Sequence, residues 1–193
     1  MRLNKDELLL KQMQKGRVYR RADLMQFSTA IDRHLDALVA EDRLLKVASG
    51  LYIRPNESAF GALPPTDEAL VKSFLKDHRF LITSFNNYNQ LGLGLTQLYN
   101  HQVVYNYKRH GEFELGGKKF FFKRLPKFPR QLTKEYLLVD MLNNLKHLAE
   151  NEEQVVANFL TNKNKFAAKK VLTVAKEYAR PKTKKLLELA YAK

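Results

Sequence analysis

Thr29 and Arg33 stand four residues apart, on the polar side of a stretch whose apolar residues Ile31, Leu35, Leu38 and Val39 recur at i, i+4, i+7 and i+8. A helix of 3.6 residues per turn buries that apolar set and turns Thr29, Asp32, Arg33, Asp36 and Ala37 to solvent. Near the start of such a helix, a guanidinium can pair bidentately with a guanine edge in a major groove. A threonine there can meet a thymine methyl or a phosphate. Asp32 and His34 share this surface. Arg20 and Arg21 precede it, Arg43 and Lys46 follow it as cations suited to phosphates, and Ser49 lies at a turn just beyond. Ser28 is placed to accept a hydrogen bond from the free N–H groups of the helix. The competing reading is a solvated helix face or a protein-contact surface, towards which Asp32, Asp36, Glu41 and Asp42 weigh.

Other residue types narrow the chemistry. The chain has no cysteine, which excludes disulfide scaffolds, thiolate metal sites and cysteine nucleophiles and is compatible with a reducing cytoplasm. His34, His78, His101, His110 and His147 are dispersed without metal-ligand spacing, and no glycine-rich loop leads into the lysine of a phosphate-binding loop. Glu112 and Glu114 precede Lys118, but the Glu-x-Lys spacing of a metal-dependent nuclease is missing, so neither a metal, a cofactor nor catalysis is expected. The formal net charge is +14. Residues 1–57 carry 11 Lys+Arg against 8 Asp+Glu, so most of the excess lies elsewhere. One cluster, Lys118, Lys119, Lys123 and Arg124, flanks Phe120, Phe121 and Phe122 near Tyr105 and Tyr107. Basic and aromatic residues alternating on a sheet stack single-stranded bases, or the aromatics face a core and the lysines face water. A second set, Lys163, Lys165, Lys169, Lys170, Lys182, Lys184 and Lys185, lies in the last 43 residues. It would extend a DNA interface, receive an acidic partner or an RNA, or simply solvate a helix face.

The elements that must position these residues follow from period and punctuation. MRLNKDELLLKQMQKG carries charges throughout, so neither a signal peptide nor a membrane span is expected in it. Its pattern predicts a helix with Leu3, Leu8, Leu9 and Met13 inward and Gly16 as C-cap. Ala22, Leu24 and Met25 predict a short helix broken at Phe27-Ser28 before the longer helix already described. Leu44–Ala48, Ser49-Gly50 and Leu51–Ile53 predict two strands about a tight turn. Together these make an N-terminal winged helix-turn-helix over residues 1–57. Residues 58–65, with Gly61, Pro64 and Pro65, predict a linker. Residues 66–193 predict an α+β, mixed α/β domain with a helical, lysine-rich C-terminus. It comprises a helix capped by Thr66, a strand at Phe80–Thr83, a short helix stopping at Gly92-Leu93-Gly94, three strands turning at Gly111 and Gly116-Gly117, a helix from Thr133, and two or three helices with Pro181 near one start.

The order Ser49-Gly50-Leu51-Tyr52-Ile53-Arg54-Pro55, Gly61-Ala62-Leu63-Pro64-Pro65, Ile82-Thr83, Asn87-Tyr88-Asn89-Gln90-Leu91-Gly92-Leu93 and Thr96-Gln97 resembles the AbiEi-type antitoxin family over about residues 1–145. The resemblance implies a winged helix that represses its own operon and a C-terminal domain that counters a toxin resembling nucleotidyltransferases. It therefore implies a toxin-antitoxin or phage-defence setting, double-stranded promoter DNA as one partner and no membrane. An RNA-binding module and a purely protein-binding antitoxin remain as alternatives. A single short reading helix buries little surface for selective binding, so two copies on an inverted or direct repeat are expected. Titration stoichiometry checks this: two protomers per operator is the expected outcome, and one protomer saturating an unrepeated site refutes it.

Overall fold

The computed structural model describes residues 4–59 and 61–192 and is a mixed α+β protein. It opens with α1 (Lys5–Gln12), β1 (Val18–Arg20), α2 (Arg21–Leu24), a 3-10 turn at Met25–Phe27, α3 (Ile31–Ala40), β2 (Leu45–Ala48) and β3 (Leu51–Ile53). Next come β4 (Asn56–Ser58), β5 (Gly61–Leu63), α4 (Asp67–Leu75), β6 (Phe80–Thr83), a 3-10 segment at Phe85–Leu91, β7 (His101–Asn106), β8 (Gly111–Leu115) and β9 (Lys118–Arg124). The chain ends in α5 (Lys134–Asn143), α6 (Glu152–Asn162), α7 (Ala168–Tyr178) and α8 (Pro181–Ala190). Among the described residues no helix is long and apolar enough to cross a membrane. Two compact units form: one runs up to Phe80 and includes Gly111–Phe120, the other holds Leu81–His110 and the chain from Phe121.

In the first unit, β1, β3 and β2 make an antiparallel sheet in that order, with Val18 opposite Ile53 and Lys46 opposite Tyr52. Leu9, Leu10, Met13, Leu24, Ile31, Leu35, Leu38, Leu44 and Tyr52 form the core beside it. The α3 face is the one its spacing predicts, with His34 added to the buried side. Three details of α1 differ from expectation. Leu10 rather than Leu8 points inward, leaving Leu8 48% exposed. Leu3 lies outside the described residues. Gly16 is not the C-cap, because the helix ends at Gln12 with Met13 extended; Gly16 instead turns the chain at φ +77 and its N–H donates to the Arg54 carbonyl at 2.7 Å.

The segment expected as a linker is partly ordered by backbone pairing, since β4 and β5 form an antiparallel pair whose strand residues are all exposed. The units also divide elsewhere than at residue 66. Thr66 caps α4, its hydroxyl accepting from the Ala69 N–H at 3.2 Å, but α4 belongs with the first unit. So does the turn between β8 and β9. The Phe74 and Phe113 rings lie 4.9 Å apart, the Lys118 amine meets the Asp67 carboxylate at 2.6 Å, and the Gly116 N–H donates to the Val47 carbonyl at 2.6 Å. These contacts span 39 to 69 residues of sequence, which is why local patterning did not place them. In the second unit, β6, β7 and the later part of β9 lie side by side in that order. Here α5 packs against α7 and the 3-10 segment, and α7 against α8, burying Phe85, Tyr88, Val103, Leu138, Phe159, Val171 and Leu187.

Gly116 sits at φ +58, and a Cβ there would approach Leu70 Cδ1 to 3.2 Å. Gly116→Ala is therefore expected to cost about 1–3 kcal/mol in urea unfolding. Gly117→Ala, at φ +75 but facing open space, is expected to cost less.

Candidate functional site

The residues predicted to meet DNA divide by whether a carboxylate already holds them. Arg33 is exposed in the first turn of α3 and has no ion-pair partner among the described residues, whereas Thr29 is exposed in the turn before the helix rather than on it, because α3 begins only at Ile31. Lys46 is exposed on β2, and Ser49 is exposed in the turn that follows. Arg21 grips Asp32 through both nitrogens of its fork, Nε to Oδ1 at 2.5 Å and Nη2 to Oδ2 at 2.6 Å. Those hydrogen bonds hold the Asp32 carboxyl below its usual range and push the Arg21 guanidinium up. Arg20 pairs with Asp23 at 3.2 Å. Arg43 is tied to Glu7 at 2.7 Å and Glu41 at 3.5 Å, so it joins α3's C-terminal turn to α1. Ser28 Oγ accepts from the Ala30 N–H at 3.1 Å; Ala30 is itself the N-cap, so the hydroxyl shapes the turn before α3 rather than capping its first turn. His34 does not share the exposed face. It is buried, its Nδ1 lies 2.5 Å from Asp6 Oδ1, and its Nε2 has no partner among the described residues. A carboxylate only accepts, so Nδ1 carries the donated proton.

The second basic set is not one surface. Lys118 is paired with Asp67, while Lys119 and Arg124 are exposed. Lys123 contradicts the expectation outright, being only 3% exposed. Phe122 and Lys123 are both buried, so both faces of β9 are covered at this end, and the face that Lys123 shares with Phe121 meets Asn144 instead of water. Lys163 extends its amine to the Ala190 carbonyl at 2.5 Å, satisfying an otherwise open acceptor at the end of α8. Lys165 and Lys170 are exposed. Lys169 and Lys184 line a groove of about 330 Å³ with Lys176 and Glu188, whereas Lys182 lines a different one with Glu152 and Glu153. Lys185 is exposed on α8. The aromatic platform is absent as well: Phe120 and Tyr105 are buried, and Tyr107 rests on Phe128 with centroids 4.7 Å apart. Among the described residues no group of three or more His, Asp or Glu side chains could hold a metal.

One polar cluster escaped sequence reasoning. Asp140 lies fully inside the second unit, in the run Tyr136–Leu142 that is buried throughout. Its carboxylate accepts from the hydroxyls of Tyr88 and Tyr105, each at 2.8 Å, and from Asn144 Nδ2 at 3.1 Å. Lys123 Nζ donates to Asn144 Oδ1 and sits 5.5 Å from the Phe121 ring centre. Burial pushes Asp140 up to about 6, against the pull of its hydrogen bonds and of Lys123. Burial and the nearby Arg180 push Lys123 down to about 8. The signal available in the sequence was a lone carboxylate in an apolar helical run, with Asn144 one turn later on the same face; a buried charge requires partners.

A family model matches residues 5–172. The chain belongs to DUF6088, a family of unknown function. The DUF6088 match takes in the α3 face and the Asp140 cluster and ends inside α7, leaving Lys182, Lys184 and Lys185 beyond it. Comparison with the curated proteins gives no match.

Because Asp140's folded pKa of about 6 exceeds the unfolded value of about 4, its contribution is fully present below pH 4 and is lost as pH rises through 6. Asp140→Asn has no such titration. Between pH 4 and 7 the stability difference in urea is expected to move in the variant's favour by about 2 kcal/mol. A difference that stays flat with pH would contradict this assignment.

Proposed function

We propose that this chain is a DNA-binding transcriptional regulator whose N-terminal unit is a winged helix-turn-helix, with α3 as the reading helix and the β2–β3 hairpin as the wing. The observation that carries the reading is the charge arrangement at the start of α3. Asp32, the carboxylate next to Arg33, is neutralised by Arg21, while Arg33 itself is exposed with no ion pair among the described residues. A phosphate approaching this end of the helix therefore meets a paired carboxylate and a free guanidinium rather than an open negative charge. In this reading Thr29 and Arg33 meet base edges, and Lys46 and Ser49 meet the backbone. Arg20, Arg21 and Arg43 serve mainly to hold the unit's own carboxylates. The RNA alternative has less support, since buried Phe120 and Tyr105 cannot stack bases.

The resemblance to AbiEi-type antitoxins supports a fuller version: an autorepressor acting in the cytoplasm on repeats in its own promoter, whose second unit counters a nucleotidyltransferase-like toxin encoded nearby. It invokes neither catalysis nor a cofactor.

Fluorescence anisotropy with the DNA upstream of the gene, against a scrambled duplex at low and near-physiological salt, tests the core of the proposal. Preference that survives added salt is expected, and equal binding that collapses with salt overturns it. Arg33→Ala is expected to cost about 1–3 kcal/mol and relax preference at one base pair, whereas Lys46→Ala weakens all sequences alike. Arg21→Ala is expected to weaken binding by exposing Asp32, and adding Asp32→Asn to restore part of it. Co-expression with the neighbouring gene tests toxin neutralisation separately, and Arg33→Ala should leave any protection by direct contact intact.

A further inference from the structure

Beside the Asp140 cluster, wholly within the second unit, lies a cavity of about 230 Å³. Its wall includes Lys123, Arg180, Asn143, Tyr136, Tyr178 and the paired residues Lys127 and Glu177. What distinguishes it is the state of its charges. Both carboxylates are occupied: Asp140 accepts from Tyr88, Tyr105 and Asn144, and Glu177 Oε1 meets Lys127 Nζ at 2.5 Å. The two remaining cations are not satisfied to the same degree. Lys123 Nζ gives one hydrogen bond, to Asn144, and has further N–H donors. The Arg180 guanidinium makes no side-chain hydrogen bond or ion pair among the described residues; its backbone alone is fixed, the N–H donating to Asn143 Oδ1 at 2.9 Å and the carbonyl accepting from the Lys184 N–H at 2.8 Å. Asn143 is itself held in place, donating to the Tyr178 carbonyl at 2.9 Å. The cavity thus offers positive donors from β9 and from the residue before α8, and no free carboxylate. The His147 imidazole reports the same field, since burial and then Lys123, Arg180 and His110 hold its pKa down.

We propose that this cavity binds a small oxyanion of the phosphate-monoester or carboxylate class, held between Lys123 and Arg180. Several acceptor oxygens on one centre match the unused donors, and the ligand's charge offsets two cations that now repel each other. Size sets the class. The volume exceeds the roughly 150 Å³ that holds a benzene and falls below the roughly 300–1,000 Å³ of pockets for drug-sized ligands. A phosphate or a short organic acid fits, and a nucleic-acid strand does not. Tyr136 and Tyr178, edge to face at 5.3 Å, give a short carbon chain an aromatic wall. The site uses no residue of α3 or β2, so it stands or falls independently of the DNA reading.

Isothermal titration of the full chain at pH 7, with inorganic phosphate and with malonate in chloride buffer of matched ionic strength, tests it. Saturable one-to-one binding of at least one anion is expected, weakened about tenfold or more by Arg180→Ala, as loss of a charge-assisted hydrogen bond implies. Arg180 is exposed and makes no side-chain bond among the described residues, so this variant is expected to fold. Preference for phosphate assigns the monoester class, and preference for malonate the carboxylate class. In parallel, the bound anion should slow acetylation of Lys123, read by peptide mass, while leaving the exposed Lys119 unchanged. No saturable binding of either anion, or equal affinity in Arg180→Ala, overturns the site.

Discussion

A carboxylate sealed from water must be hydrogen-bonded on every side, and Asp140 imposes that requirement on the whole second unit. Its partners come from four places in the chain: the 3-10 segment supplies Tyr88, β7 supplies Tyr105, the C-cap of α5 supplies Asn144, and β9 supplies Lys123 through Asn144. Each partner is a constraint on register. A strand shifted by one residue would turn Tyr105 or Lys123 to the other face and leave a charge unpaired in the core, at a cost well beyond that of an ordinary packing defect. The cluster therefore fixes how β7, β9 and α5 meet, while the apolar residues around it supply most of the burial energy without choosing among alternatives.

The first unit rests on a different balance. Its core is apolar, and its charged residues settle which cations stay available. Arg21, Arg20 and Arg43 all find carboxylates, and His34 reaches Asp6 from inside the fold. These are mostly exposed pairs, each worth little to stability. Their larger effect is electrostatic: they engage Arg20, Arg21 and Arg43 with carboxylates and leave Arg33 and Lys46 among the cations with no ion pair among the described residues.

Much was legible from the amino-acid order. The helical period of Ile31, Leu35 and Leu38, the strands of Val103–Tyr105 and Phe120–Phe122, the glycine turns at Gly50 and Gly116, the caps at Thr66 and Thr133, and Pro181 opening α8 all lie where local rules put them. These features depend on a residue and its neighbours within about one turn, so a linear reading can find them. Lys123 and Leu8 were misplaced for the complementary reason: the elements packed against β9 and α1, which come from distant sequence, decide which positions are covered.

The sequence by itself determined most of the elements, their order and the exposure of Thr29 just before α3 and of Arg33 on it, though it showed neither β1 nor the β4–β5 pair. Only the tertiary structure decided which charges are spent. Arg21 with Asp32, Arg43 with Glu7, Lys118 with Asp67 and Lys123 with Asn144 are separated by 11, 36, 51 and 21 residues. Tertiary structure likewise carried α4 and the Gly116 turn into the first unit and left Lys123 and Arg180 facing one cavity. Backbone preference acts over a few residues, whereas ion pairing and burial act through space, and distance through space is set only when the chain has folded.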